Sequence, residues 1–227
     1  MKIGVIVAMD KEFIQLKSLL DNCKEEVHGT KTFTLGELGK HTIVLQQCGI
    51  GKVNSAVGTT EMLAAYEPDL VISTGVAGGA NPKLNTTEVV VSSSCRFHDV
   101  YCGTECEAGQ VLGMPACFET SREWVDKALS LNAETKVHEG LIVTGDWFVD
   151  SRLKMQNILD CFPNAMAVDM ESCSIAQVCY IYKVPFVSFR IISDVPLKDE
   201  KAAQYYDFWE RLANGSFDIT KRFLMSL

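Results

Sequence analysis

The sequence has no long apolar run, and this absence argues against a membrane-spanning helix. About 20 consecutive apolar residues are needed to cross a bilayer, and no segment of the 227 residues comes close to that length. The apolar start, residues 1–8, is followed at once by Asp10, Lys11 and Glu12, which is not the pattern of a secretory signal peptide. The sequence therefore predicts a cytoplasmic protein that does not interact with membranes.

Positive charge is also scarce. The chain has 21 Lys and Arg residues against 29 Asp and Glu residues, which gives a formal net charge of -8. Because binding to nucleic acid depends on basic side chains that neutralise phosphates, and no basic stripe occurs, we expect no nucleic-acid partner. A small neutral or cationic ligand remains compatible with this charge.

Paired cysteine motifs are missing as well. The nine cysteines are odd in number and include no Cys-x-x-Cys pair, so free thiols in a reducing compartment are the favoured interpretation. Cys102 and Cys106 form a Cys-x-x-x-Cys pair, with three residues between them, near His98. A metal site there is the weaker alternative, because no second pair of ligands follows at zinc spacing.

What the sequence does contain is a regular alternation of short apolar segments with amphipathic ones. This alternation predicts an α/β fold with a mixed, mostly parallel central sheet flanked by helices, and the length suits one domain spanning residues 1–227. The predicted strands are 2–8, 32–38, 41–47, 70–74, 88–94, 140–144, 165–169 and 185–192. The predicted helices are 10–20, 53–66, 122–131, 152–161, 171–182 and 204–225. Residues 98–117 show no period and are predicted to form a long loop, of the kind that is often functional.

Polar residues directly after several predicted strands mark a candidate site, since ligands of open α/β sheets bind at the carboxyl ends of strands. Three acids could meet there: Glu12, Glu171 and Asp194. Each acid alone could be a helix-start or turn residue. The three together are more than a structural core requires, and they favour a catalytic site.

Common nucleotide and hydrolase motifs are absent. The segment Gly49–Ser55 lacks the spacing of a phosphate-binding loop, and Lys52 is followed by Val53 rather than by Ser or Thr. The glycines of residues 75–79 do not form a dinucleotide-binding motif, and no Gly-x-Ser-x-Gly elbow occurs. Phosphoryl transfer and serine-triad acyl transfer therefore lose support.

A series of motifs, in order and spacing, resembles the 5'-methylthioadenosine/S-adenosylhomocysteine nucleosidases of the purine nucleoside phosphorylase superfamily. The motifs are the start 1–9 with Glu12, Cys48-Gly-Ile-Gly-Lys52, Ser73-Thr-Gly-Val-Ala-Gly-Gly79, Arg96-Phe-His-Asp99, Thr144-Gly-Asp-Trp-Phe-Val149, Ala167-Val-Asp-Met-Glu171 and Phe189-Arg-Ile-Ile-Ser-Asp-Val195. The resemblance runs from Met1 to about residue 210. It implies a nucleoside phosphorylase-like fold and hydrolysis of the bond between a purine and its ribose.

The resemblance also implies the catalytic residues. Asp194 would protonate N7 of the leaving purine, held in place by Ser193. Glu12 would activate the attacking water, helped by Arg190. General acid help of this kind is commonly worth about 10²–10⁴ in rate. The acid and the base would need pKa values that are pushed apart by their environments.

The remaining substrate contacts follow from the same resemblance. Glu171 would accept hydrogen bonds from the ribose hydroxyls, Met170 would pack on the sugar, Phe148 would stack on the base and the backbone of Val149 would bind its edge. The other expected substrate-binding residues are Met9, Ile50, Val76, Ala77, Gly78, Asp169 and Tyr206. The family uses no metal or organic cofactor, and its members are homodimers in which the 98–117 region covers the neighbour's site.

Some residues depart from the family pattern. Val76 and Asp169 stand where Ser and Glu are usual, and Tyr206 stands where Phe is common. Cys102–Cys106 replaces a segment that is usually apolar and aromatic. These departures motivate two alternatives: a nucleosidase for another purine nucleoside, such as a futalosine-type compound, and a non-catalytic nucleoside-binding relative.

The choice of water over phosphate rests on residues 9–12. The phosphorylases of the superfamily carry Gly-Asp-Pro-x-Arg near the amino terminus, and this chain has Met9-Asp-Lys-Glu12 in that region. A carboxylate at this position would repel phosphate and suits an attacking water.

Overall fold

The predicted alternation is present in a computed structural model, which describes residues 1–198, 205, 208 and 217–227. The strands are β1 (Lys2–Val7), β2 (Asp21–His28), β3 (Lys31–Leu38), β4 (His41–Gln47), β5 (Leu70–Gly79), β6 (Val89–Phe97), β7 (Phe118–Glu119), β8 (Val137–Thr144), β9 (Ala165–Asp169) and β10 (Phe186–Asp194). The helices are α1 (Asp10–Lys17), α2 (Lys52–Tyr66), α3 (Arg122–Leu129), α4 (Arg152–Cys161), α5 (Ser172–Tyr182) and α6 (Asp218–Ser226).

The ten strands of the described residues belong to one mixed sheet, which closes partly on itself. The order is β10-β6-β8-β9-β5-β1-β4-β3-β2, and β10 also pairs with β5. Strands β5, β10, β6, β8 and β9 therefore form a ring, from which β1, β4, β3 and β2 extend. Among the described strands, five pairings are parallel and five are antiparallel. The sheet is mixed, as predicted, and its two longest pairings, β5 with β10 and β6 with β8, are parallel.

Buried apolar strands position the candidate site. Strand β1 exposes only its first residue, and all of β10 is buried up to its last residue. Apolar side chains pack on both faces of the sheet, with Met62 of α2 on one face and Phe223 of α6 on the other. A third cluster, around Met155 of α4, covers the ends of β8 and β9.

Several predicted boundaries differ from the structure: β6 continues to Phe97 and β8 begins at Val137, each three residues beyond the prediction, and the short strand β7 was not predicted. The first helix was expected to reach residue 20, but α1 ends at Lys17 and is followed by β2, which was not predicted. The glycine-rich residues 75–79 continue β5 instead of leaving it, because β10 pairs alongside as far as Gly78. Of the closing helix predicted at 204–225, the structure shows α6, and most of the remainder lies outside the described residues.

The predicted loop at 98–117 contains no helix or strand. Within the described ranges, no helix is long and apolar enough to cross a membrane. Among the same residues, no three His, Cys, Asp or Glu side chains lie close enough together to hold a metal ion. His98, Cys102 and Cys106 are among the residues to which this applies.

Candidate active site

A cavity opens where strands β1, β5, β9 and β10 end. Its empty volume is about 660 Å³, counting open solvent at the mouth. The cavity is lined by Ala8, Met9, Glu12, Ile50, Val76, Ala77, Gly78, Trp147, Phe148, Val149, Val168, Asp169, Met170, Glu171, Ser193, Asp194 and Tyr205. Thirteen of the fifteen site residues predicted from the sequence are in this set, so the structure brings them together.

The two other predicted residues have different outcomes. Arg190 is fully buried in β10, behind the cavity wall. Tyr206 lies outside the described residues; its described neighbour Tyr205 lines the cavity.

Glu12 is buried at the first turn of α1 and is held by three backbone N–H groups. Its Oε2 accepts hydrogen bonds from Ala8 N and Met9 N, both at 3.0 Å. Its Oε1 accepts from Val76 N at 3.0 Å, which ties α1 to β5. Burial raises the pKa of Glu12, and the charge of Arg190 and the three N–H groups oppose that shift. A carboxylate with a raised pKa is a stronger proton acceptor than an exposed one.

Arg190 is the buried cation of the site. Its Nε lies 2.6 Å from Asp169 Oδ2 and donates to Ser172 Oγ at 3.0 Å, while Nη2 donates to Ser73 Oγ at 2.8 Å. Burial alone would lower the pKa of the guanidinium, but the charges of Asp169, Glu171 and Glu12 outweigh burial and raise the pKa. Arg190 is therefore a fixed positive charge among three carboxylates.

Arg190 and Glu12 both approach the backbone closely at Gly75. A Cβ atom built at Gly75 would lie 2.6 Å from Arg190 Nη1 and 2.6 Å from Glu12 Oε1. Both distances are shorter than any allowed contact, so only glycine fits here without displacing a charged group. The lack of a side chain at Gly75 therefore allows the guanidinium and the carboxylate to pack against this point of β5.

Glu171 lies at the start of α5 and points back toward α2. Its Oε1 accepts a hydrogen bond from Gly51 N at 2.9 Å. The pKa of Glu171 is raised to about 7, chiefly by burial and also by the charges of Asp169 and Glu12, while the charge of Arg190 and the hydrogen bond from Gly51 oppose the rise. Glu171 can thus change its charge near neutral pH.

Asp169 uses both of its oxygens within the protein. Oδ1 accepts from Thr144 Oγ1 at 2.5 Å. Oδ2 accepts from the hydroxyl of Ser172 and forms the ion pair with Arg190. These contacts hold Arg190 and the end of β9 together, so Asp169 is committed to internal partners although it borders the cavity.

Asp194 ends β10 and is partly exposed to the cavity. Ser193 Oγ donates to Asp194 Oδ1 at 2.6 Å, and the same hydroxyl lies 3.2 Å from the carbonyl oxygen of Ala77. The Ser193 contact fixes the orientation of the Asp194 carboxyl group. The predicted pairing of these two residues is present in the structure.

Aromatic side chains form the outer wall. Phe148 packs edge-on against Tyr205, with ring centroids 5.3 Å apart, and Trp147 packs edge-on against His98 at 5.6 Å. Phe148 is 47% exposed and Trp147 50% exposed. A planar ligand could stack against such a wall.

Among the described residues, the sequence prediction missed four that line the cavity: Ala8, Trp147, Val168 and Tyr205. All four are direct neighbours of predicted residues in the chain, since Ala8 precedes Met9, Trp147 precedes Phe148, Val168 precedes Asp169 and Tyr205 precedes Tyr206. Their position next to a predicted residue was the available signal.

The fold and the cavity at the strand ends are those of the Phosphorylase superfamily, whose family model matches residues 2–225. The 5'-methylthioadenosine/S-adenosylhomocysteine nucleosidase of Desulfotalea psychrophila is 39% identical over 222 residues, which cover 96% of this chain and 95% of that protein.

Two solved structures are similar throughout. The nucleosidase of that name from Colwellia psychrerythraea, in complex with adenine, matches with a TM-score of 0.91 and 35% identity, covering 100% of this chain and 96% of the other. The Neisseria meningitidis nucleosidase, in complex with methylthio-immucillin-A, matches with a TM-score of 0.92 and 33% identity, covering 100% and 99%. Within the superfamily, this chain therefore belongs to the 5'-methylthioadenosine/S-adenosylhomocysteine nucleosidase family, as the sequence motifs predicted.

Proposed function

We propose that this protein hydrolyses the N-glycosidic bond of 5'-methylthioadenosine and S-adenosylhomocysteine, releasing adenine and a 5-substituted ribose. The observation that carries the proposal is that Glu12 and Asp194 line one cavity together with an aromatic wall. An acid and a base on either side of a nucleoside are what hydrolysis of this bond requires. Family membership supports the choice of substrate, because relatives across the full chain are named for these two nucleosides.

Asp194 is the general acid of the proposal. Its proton passes to N7 of adenine as the bond between C1' and N9 breaks, so the base leaves as a neutral molecule. The hydrogen bond from Ser193 to Asp194 Oδ1 supports this role, because it orients the carboxyl group at the cavity. The positive charge that develops on the ribose is then quenched by water.

Glu12 is the general base. The attacking water gives its oxygen to C1' and its proton to Glu12, which completes the addition of one water molecule across the broken bond. The three backbone hydrogen bonds that hold the Glu12 carboxylate at the cavity support this assignment, because they orient it toward a bound nucleoside. Exchange of protons with solvent returns Glu12 and Asp194 to their starting states.

Glu171 and the aromatic wall bind the two halves of the substrate. The ionised Glu171 accepts hydrogen bonds from the ribose hydroxyls, with Met170 against the sugar. Phe148 stacks on adenine, and the backbone of Val149 binds its edge. Asp169 acts by holding Arg190, which the ion pair at 2.6 Å supports.

Release of free base from a substrate panel tests this function. Purified protein is incubated with 5'-methylthioadenosine, S-adenosylhomocysteine, inosine and a futalosine-type nucleoside, each with and without phosphate. We expect adenine from the first two at a rate independent of phosphate. Strict dependence on phosphate would rule out hydrolysis. Preference for futalosine would favour the alternative substrate, and no release from any nucleoside would favour a non-catalytic binding protein.

Asp194→Asn tests the assigned acid. The amide keeps the size and the contact to Ser193 but cannot give a proton to N7, so kcat should fall by about 10²–10⁴ while substrate binding changes little. Asp160→Asn, on the exposed face of α4, is the matched control and should leave kcat unchanged. Wild-type turnover by Asp194→Asn would refute the mechanism.

We also propose that two copies form a homodimer in which residues 98–117 of one copy cover the cavity of the other. Exposed apolar side chains support this proposal: Ile50 of the cavity wall, Val53 of α2, and Tyr101 and Leu112 of residues 98–117 are each more than half exposed. Large exposed apolar patches are typical of protein interfaces. A cytoplasmic location remains a prediction from the sequence.

A further inference from the structure

Three segments that border the site meet at Asp99, in a cluster that we call the Asp99 junction, made of Asp99, Lys52 and Asp146. Lys52 Nζ lies 2.8 and 2.7 Å from the two oxygens of Asp99. Asp146 N donates to Asp99 Oδ2 at 2.9 Å, and Asp146 Oδ1 accepts from Lys52 N at 2.8 Å. The three residues thus close a ring of hydrogen bonds between the start of α2, the loop after β6 and the loop after β8.

The junction is sheltered from solvent at its centre. The Asp99 side chain is 10% exposed and that of Lys52 is 25% exposed. Screening by water is weaker for such a pair than for an exposed one, so the pair resists separation. None of the three residues lines the cavity.

The Asp99 junction is connected to Glu171 through the backbone of Gly51. Gly51 precedes Lys52 in the chain, and its N–H is the donor to Glu171 Oε1. Gly51 has φ +95°, and a Cβ atom there would lie 2.9 Å from Asp146 Oδ1. The backbone at Gly51 therefore lies close to Asp146 of the junction and is hydrogen-bonded to Glu171.

We infer that Asp99 is a positioning residue for Glu171, acting through Lys52 and the backbone of Gly51. The inference rests on the proposed function, since it concerns the residue that would bind the ribose hydroxyls. When the junction is intact, the first turn of α2 is fixed and Gly51 N aims Glu171 at the cavity. When it is lost, that turn and the carboxylate it holds can shift together.

Asp99→Asn is the informative variant. Every contact of the Asp99 oxygens in the junction is as an acceptor, so an NH₂ group in place of either oxygen faces a donor. A displacement of about 1 Å at a site can cost roughly a hundredfold in rate. We expect kcat/KM for 5'-methylthioadenosine to fall by about ten- to a hundredfold, in a protein that remains folded by circular dichroism.

A double-mutant cycle separates positioning from general damage. If Asp99 acts through Glu171, Asp99→Asn should change kcat/KM by no more than about threefold when Glu171→Ala is already present. An equal loss in both backgrounds, or wild-type kcat/KM in folded Asp99→Asn, would overturn the inference. Should Asp99→Asn fail to fold, Lys52→Met carries the same test, because it removes the ammonium group and keeps the backbone N–H.

Glu25→Gln is the matched control. It removes the carboxylate of another Lys–carboxylate pair, with Lys17 at 2.7 Å, in a strand remote from the cavity. Its kcat/KM should equal that of the wild type. If the wild type itself releases no adenine, the proposed function fails; if the wild type is active and Asp99→Asn is equally active, only the positioning role fails.

Discussion

At Gly75 the lack of a side chain allows two charged groups to lie against the backbone. Gly75→Ala would place a methyl group where Arg190 Nη1 and Glu12 Oε1 each stand 2.6 Å away. Because the methyl group must displace Arg190 or the proposed base Glu12, we expect kcat to fall by roughly a hundredfold or more. Steady-state release of adenine measures the effect, and a variant with wild-type kcat would contradict the assignment of Glu12 as the base.

Glu171 provides a test by pH. Its pKa of about 7 in the folded protein exceeds the ordinary value of 4.5, so between these values the folded state holds a proton that the unfolded state has released. The contribution of Glu171 to the free energy of unfolding is therefore complete below pH 4.5, and it is lost as the pH rises toward 7.

Comparison with Glu171→Gln isolates this contribution. The free energy of unfolding of the wild type, minus that of the variant, should decrease by on the order of 1 to 3 kcal/mol between pH 4.5 and 8. Urea denaturation at several pH values measures the difference. If the free energies of unfolding of the two proteins changed with pH in parallel, the raised pKa of Glu171 would be contradicted.

Individual residues differ in how far the sequence could place them. Glu12, Glu171 and Asp194 follow strands, and the rule that ligands bind at strand ends was enough to group them. The partners of Asp169 could not be predicted, because Thr144 and Arg190 come from other strands and meet it only in the folded sheet. The same is true of the Asp99 junction, where residues 47 positions apart in the chain form one contact.

Among the elements, β2 shows where sequence patterns fail. Its eight residues are exposed except for one that is half-buried, because β2 is the last strand at one end of the sheet. A strand with no buried face has no apolar alternation, and periodicity therefore cannot reveal it. The buried strands β1 and β10 were predicted to within two residues, since burial on both faces leaves a continuous apolar run.

The end of helix α5 offers a prediction about stability. Lys183 is exposed and has φ +60° at the helix C-cap, a conformation that is unfavourable for residues with a Cβ. Lys183→Gly should raise the free energy of unfolding by about 0.5–1 kcal/mol. Thermal denaturation should show an increase in Tm of a few degrees.

Lys127→Gly is the comparison for this helix variant. Lys127 lies inside α3, where glycine costs about 1 kcal/mol relative to good helix formers. The two glycine substitutions should therefore shift Tm in opposite directions. A lower Tm for Lys183→Gly would mean that its side chain stabilises the helix end by more than the backbone strain costs.

At the scale of the whole molecule, the exposed apolar side chains on α2 test the proposed homodimer. Val53 is 73% exposed, and Val57, one helical turn later, is 39% exposed. Val53→Asp would place a charge in the proposed interface, so light scattering after size exclusion should show a monomer. Val27→Asp, at a 71% exposed position of β2, is the control and should leave the mass unchanged.

Activity of the Val53→Asp variant then bears on the covering loop. If residues 98–117 of the neighbour cover the cavity, loss of the dimer should raise KM as well as change the mass. A wild type that is already monomeric, or a monomeric variant with unchanged KM, would count against this arrangement.

The ring formed by β5, β10, β6, β8 and β9 has a consequence for how activity is lost. The residues Gly75, Asp169, Ser193 and Asp194 lie on strands of this ring, and each of those strands has a hydrogen-bonded neighbour on both sides. No one of them can fray from a free edge, as β2 can. The cavity should therefore persist until the ring itself opens, so residual activity in rising denaturant should report the fraction of molecules that remain folded.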